Sequence, residues 1–194
     1  LKFIFILLIQ CIWSTQAASP VAPAELKTAL AKYQAMASLE VPFKQIKTLK
    51  DIQLRLESEG ILKVQLPNRV EWKVLKPQPL EMVLEQDKVT VKSDGKEDTF
   101  RASEGSAKDQ RSFHDLLNWL RLDADALTRD YQVSRLSPNR YRFVAKNPDS
   151  VIKALNMDLS KAGHLQKLTF EEAAGDEIRI EFGIPQVKYQ RKVK

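Results

Sequence analysis

Few residues in this chain could carry covalent or acid–base chemistry. They are two histidines, His114 and His164, a lone Cys11, the neighbours Glu171 and Glu172, and the pair Asp123 and Asp125. A nucleophile needs a base within hydrogen-bond reach, and a metal needs three or four converging ligands. His114 and Asp115 are adjacent in sequence and therefore not on one helical face, so they form no dyad. Neither histidine has companions at metal-ligand spacing, and both are expected to be exposed polar residues. A strand position accounts for each glutamate, and a helix N-cap accounts for Asp123. Glycine-rich phosphate loops and nucleophile elbows do not occur. These residues point to a binding protein without enzyme activity, cofactor or metal.

The informative pattern is apolar. Between 60 and 76 the chain alternates, with Leu62, Val64 and Leu66 on one run and Val70, Trp72 and Val74 on the next, hinged at Pro67-Asn68. A period of two places each set on one face of a sheet, so the two runs build a continuous apolar surface carrying an indole. Such a surface must be covered by a permanent core or by an apolar guest.

The elements around it follow from periodicity. Leu26, Ala29, Leu30, Tyr33 and Ala37 recur at helical spacing, predicting an amphipathic helix over 24–39 that Pro42 brings to an end. Strands are predicted at 43–50, 52–57, 60–66, 69–75, 80–85 and 88–92, with turns at Glu59-Gly60, Pro67-Asn68 and Ser93-Asp94-Gly95. The segment 105–110 is small and polar and reads as a loop. Phe113, Leu116, Leu117 and Leu120 then share a helical face, with Trp119 beside them, and Asp123 is placed to cap a short helix through Leu127. Strands at 131–136, 140–145, 152–159, 165–171 and 177–182 form a second meander. The total is about ten or eleven antiparallel strands with two or three helices able to lie across one face of a curved sheet.

Residues 3–13 form an apolar run after Lys2 and lead into Ser14-Thr15-Gln16-Ala17-Ala18, the pattern of a cleaved secretory signal over 1–18. The run is too short to span a bilayer comfortably. Cys11 follows Ile9-Gln10 instead of the small residue that lipid modification requires. Export without a disulfide framework points to a bacterial periplasm-like compartment and to one domain over 19–194 that relies on its own core. The formal charge of +6 is spread along the chain as the wet faces of strands, which excludes a nucleic-acid interface. The tail 188–194 is the one basic cluster and is suited to a frayed terminus, or to a patch that attracts anionic lipid headgroups or an acidic partner surface. No heptad seam is visible, and a monomer is expected.

An N-terminal amphipathic helix, Phe43-Lys44-Gln45, the run from Gly60 through Pro67-Asn68 to Trp72, Pro79, and Ser93-Asp94-Gly95-Lys96 occur in order along the chain. In this ordered set the chain resembles the periplasmic outer-membrane lipoprotein carrier family, LolA. The resemblance implies an incomplete antiparallel β-barrel with a helical lid over its concave face. It further implies a lipid-binding interior formed by Val64, Val70, Trp72, Val74 and Met82, with Phe113, Leu116, Leu117 and Leu120 on the lid. The implied partners are an acylated lipoprotein or related amphiphile, an inner-membrane ABC-type release complex and an outer-membrane receptor. A sensing or scaffold module with the same fold is the alternative reading, and a lipid hydrolase is disfavoured by the missing nucleophile. One position departs from the family pattern. Where the family typically has an arginine that holds the lid, before the Pro-Asn pair, this chain has Leu66, with Arg69 as the nearest substitute.

Overall fold

The computed structural model describes residues 19–67, 69–85, 88–104, 118–119 and 121–189. Among the described residues, thirteen strands form one antiparallel sheet. A short β1 (Ser19–Pro20) precedes helix α1 (Pro23–Gln34). Then come β2 (Met36–Leu49), β3 (Leu54–Gln65), β4 (Arg69–Lys76), β5 (Leu80–Glu85), β6 (Lys88–Ser93) and β7 (Lys96–Arg101), with a 3₁₀ turn at Ala102–Glu104. Helix α2 (Ala124–Asp130) leads into β8 (Tyr131–Ser137), β9 (Arg140–Ala145), β10 (Ile152–Leu159), β11 (Leu165–Glu172), β12 (Glu177–Phe182) and β13 (Gln186–Tyr189). The order across the sheet is β1-β8-β9-β10-β11-β12-β2-β3-β4-β5-β6-β7. The sheet does not close, because β1 and β7 remain at opposite edges, and the result is the expected incomplete barrel.

Register brings the alternating runs together. Val41, Leu62, Trp72, Met82 and Val91 lie in one row across β2 to β6, and Leu39, Val64, Val70, Leu84 and Val89 lie in the next. On the other side of the sheet, Ile178, Phe170, Leu155, Phe143 and Val133 continue the same face. Leu26, Leu30 and Tyr33 of α1 are buried in the core with these rows. Pro23 opens α1 at a position where its missing N–H costs nothing. The salt bridge between Lys27 and Asp125, at 2.7 Å, ties α1 to α2.

Three expectations are corrected. The first helix stops at Gln34 and the chain is already strand at Met36, because Leu39, Val41 and Phe43 alternate into the core. Ala37 falls at helical spacing after Leu30 and Tyr33, and that apparent continuation carries the expected helix past its true end. Pro42 therefore lies within a strand. Its carbonyl accepts from the Gly183 amide at 2.8 Å, so its nitrogen faces the point where the neighbour of β2 changes from β12 to β13, and no ladder bond is lost there. Gly60 is also inside a strand and not in a turn, so 52–57 and 60–66 merge into β3. A Cβ at Gly60 would lie 2.0 Å from the Lys73 carbonyl oxygen and 2.7 Å from Phe43 Cζ. The glycine leaves room for the Phe43 ring, which stacks on Trp72 with centroids 4.0 Å apart. The two-residue β1 and the wholly exposed β7 have no apolar alternation to reveal them, and the four residues of β13, with only Val187 and Tyr189 alternating, are too few to stand out.

Candidate functional site

An apolar cavity of about 310 Å³ lies between the concave face and a turn that precedes α2. One wall comes from Leu39, Leu62, Val64, Trp72 and Met82 on β2 to β5, and another from Leu168, Phe170, Ile178, Ile180 and Phe182 on β11 and β12. Tyr33 and Met36 close one end, and Trp119, Arg121 and Leu122 lie over it. The cavity adjoins a larger polar groove, lined by Lys146, Asn147, Asp149 and Lys153 among others, and Glu172 and Val151 line both. A greasy compartment that opens beside a polar channel suits a molecule with an apolar tail and a polar head.

The turn over the cavity is built by its backbone bonds. The Asp123 amide donates to the Asn118 carbonyl at 3.1 Å and the Leu122 amide to the Trp119 carbonyl at 3.2 Å, the two bonds of a helix ending in a Schellman motif. The left-handed position of that motif, usually glycine, is held by Leu122 at φ 50°. A branched side chain there costs about 1 kcal/mol or more, and burial of Leu122 in the cavity wall offsets it. Asp123 then caps α2, accepting from the amides of Asp125 at 3.1 Å and Ala126 at 3.0 Å.

Trp119 anchors the turn. It is 2% exposed, donates Nε1–H to the Tyr131 hydroxyl at 3.0 Å, and meets Tyr131, Phe143 and Phe170 edge-on. At the other end of the cavity Tyr33 accepts from the Leu165 amide, and burial pushes its phenol up to about 12.

Among the residues predicted to bind lipid, Val64, Trp72 and Met82 line the cavity. Val70 and Val74 share their face without lining it. Val70 is fully buried, packed among its neighbours in the core, and Val74 borders a shallow recess on the β4–β6 side with Pro79 and Leu80. Phe113, Leu116, Leu117 and Leu120 lie outside the described residues, as do the segment 1–18, Cys11 and His114. Leu66 lines the cavity, and Arg69 takes no part in it. Arg69 bonds Glu71 at 2.7 Å and also Glu85, on the opposite face of β4. The whole wall from β11 and β12, with Leu168, Phe170, Ile178, Ile180 and Phe182, escaped the sequence reading, because nothing local says which remote strands face Trp72, and so did Arg121 and Leu122. Arg121 and Leu122 follow the leucine-rich stretch directly, and the signal was a lone base set within an apolar segment.

The candidates for acid–base chemistry are occupied elsewhere. Successive on β11, Glu171 and Glu172 point to opposite faces. Glu171 pairs with Arg142 at 2.9 Å and Glu172 with Lys47 at 2.8 Å. His164 sits in the β10–β11 turn, its amide held by Ser160 Oγ at 3.0 Å. No group of three metal-ligating side chains occurs among the described residues. No helix among them is long and apolar enough to cross a membrane.

An open antiparallel sheet wrapped around an apolar cavity, with a helical turn across it, defines a half-barrel binding protein. Residues 34–193 match the family described as outer membrane lipoprotein carrier protein LolA, and the chain belongs to that family. No curated protein matches it. Among solved structures, it is similar to a DUF1329 family protein from Desulfovibrio piger, with TM-score 0.49 and 10% identity over 91% of this chain and 95% of that one. It is also similar to the lipoprotein LppX of Mycobacterium tuberculosis, with TM-score 0.47 and 11% identity over 89% and 96%. The Pseudomonas aeruginosa MucA/MucB complex matches with TM-score 0.49 and 12% identity, over 85% of this chain and 56% of that one.

Proposed function

We propose that this protein is a periplasmic carrier, a single half-barrel domain over 19–194, that takes up the acyl chains of lipoproteins or of a related amphiphile. It collects them from an inner-membrane ABC-type release complex and passes them to an outer-membrane receptor. It acts by binding, without catalysis. The observation that carries this reading is the apolar cavity that meets a polar groove at Glu172 and Val151. Val64, Trp72 and Met82 form the lipid-binding wall, Val70 and Val74 back it, and Phe113, Leu116, Leu117 and Leu120 extend the lid.

The size of the cavity sets the energetics. At about 310 Å³ it lies at the small end of ligand pockets, which run from about 300 to 1,000 Å³. With about 30 Å³ for a water-sized group, it holds roughly ten such groups, the bulk of one alkyl tail. Each buried methylene contributes about 0.8 kcal/mol, so ten contribute about 8 kcal/mol. That corresponds to a Kd of about 1 μM before ordering costs are subtracted. A carrier needs affinity in this range, because tighter burial would prevent release. Cargo with several chains requires the turn bearing Trp119 and Leu122 to give way, and the contacts it forfeits lower the apparent affinity further.

Native mass spectrometry of the protein purified from a bacterial envelope extract tests the reading. Co-purifying acylated species are expected. A consistently empty protein bound to a stable protein partner would replace the carrier with the sensing module.

A further inference from the structure

Arg121 is a half-buried cation set at an apolar cavity, acted on by the charge of Asp123 but joined to no carboxylate among the described residues. Its Nε and Nη2 are shielded from solvent and make no hydrogen bond. Arg121 is also the only base that lines the cavity among the described residues. The one acid in the lining, Glu172, is already neutralised by Lys47 at 2.8 Å. Asp123, two residues on, uses its carboxylate to cap α2. The cavity wall therefore carries one positive charge with no bonded partner, Asp123 acting on it only through its field. Two shielded guanidinium nitrogens without an acceptor are unfavourable, and the planar fork they form fits two oxygens of an oxyanion.

Resting on the carrier reading, we propose that Arg121 is the head-binding residue of the cavity. Its guanidinium takes the oxyanion head of an acyl amphiphile whose tail lies along Trp72 and Met82. Burial pulls the Arg121 guanidinium below its ordinary range, as expected of a donor poised for an anion. The same helical turn contributes Asn118 to the adjoining polar groove, so a group attached beyond the head has a way out. The ligand class is a single-chain oxyanion: a carboxylate or a phosphate monoester on an alkyl tail.

Calorimetric titration of the full chain with dodecanoate, dodecyl phosphate and 1-dodecanol, each below its micellar concentration, tests this. Arg121→Gln is expected to weaken the two anions by about ten- to a hundredfold and to leave the alcohol unchanged. Loss confined to one anion identifies the natural head as carboxylate or phosphate. Arg121→Lys should retain part of the anion affinity. The thermal midpoint of Arg121→Gln should equal or exceed that of the parent, because a partly desolvated cation with two unsatisfied nitrogens is removed. Undiminished anion binding by Arg121→Gln, or a clearly lowered midpoint, overturns the head-binding role while the carrier reading stands. If the parent protein binds none of the three probes, the carrier reading falls and this inference with it.

Discussion

Two tryptophans line the same cavity and are held in different ways. Trp119 is locked on every side, with a hydrogen bond to Tyr131 and edge contacts to Tyr131, Phe143 and Phe170. Trp72 is 8% exposed and, among the described residues, has one ring partner, Phe43, and donates no hydrogen bond from its indole. The first pins a turn to the β8–β11 side of the sheet. The second offers a flat apolar face to whatever enters. A container needs both, a fastened cover and a permissive wall, and the difference can be read as energy.

The matched substitution Trp119→Leu should have the largest effect. It removes three edge contacts worth about 0.5–1.5 kcal/mol each and a buried hydrogen bond worth about 1 kcal/mol. A loss of about 3 kcal/mol is expected in urea unfolding. A loss below about 1 kcal/mol would show that Trp119 fastens nothing. Gly60→Ala comes next, because the new methyl meets a backbone carbonyl and the Phe43 ring. Overpacking of this kind costs about 1–3 kcal/mol. It should also tilt Phe43 away from Trp72, which a change in near-ultraviolet dichroism would report. Trp72→Leu should cost only about 1 kcal/mol, since one ring contact is lost and the wall stays apolar. Its signature should be in binding, with dodecanoate affinity changed several-fold at nearly unchanged stability. If Trp72→Leu and Trp119→Leu cost the same, the contrast between fastening and wall is gone.

The β3–β5 wall was legible from residue order alone, because strict alternation at Leu62, Val64, Trp72 and Met82 fixes which face each side chain takes, whereas the β11–β12 wall was not. The capped helix at Asp123 was equally legible, its side chain and the following apolar residues being a local signal. The fastening was not. Its strength comes from Tyr131, Phe143 and Phe170, which lie on three strands remote in sequence and meet Trp119 only when the sheet curves. Arg121 shares that difficulty: a base after a leucine-rich run reads as a wet face, and only the fold shows its Nε and Nη2 shut away from water. Pro42 and Gly60 misled for the opposite reason. Their local meaning is to break or turn a chain, and here long-range crowding at Phe43 and the change of neighbour along β2 override it.

Acid should act on the fastened side by a smaller amount, and from the outer face. Asp158 on β10 bonds Arg140 of β9, with Nη2 to Oδ2 at 3.0 Å, and pairs with Lys167 of β11 at 3.4 Å. The bond from Arg140 is the main reason its carboxyl is held below the usual carboxylate range. A folded-state pKa below the unfolded one means that the unfolded chain binds the proton more readily. The stabilisation is therefore complete above the ordinary carboxylate pKa of about 4 and is lost as pH falls through the depressed value. It should amount to no more than about 1 kcal/mol, since the pair is partly solvated. Asp158→Asn should flatten the stability profile below pH about 4, with amide exchange of β9 to β11 rising to match. The strands that carry Trp72 should keep their protection under the same conditions, because their outer-face pairs do not involve Asp158. Equal loss of protection on both sides would mean that the sheet opens as one unit and that the two tryptophans share a single stability.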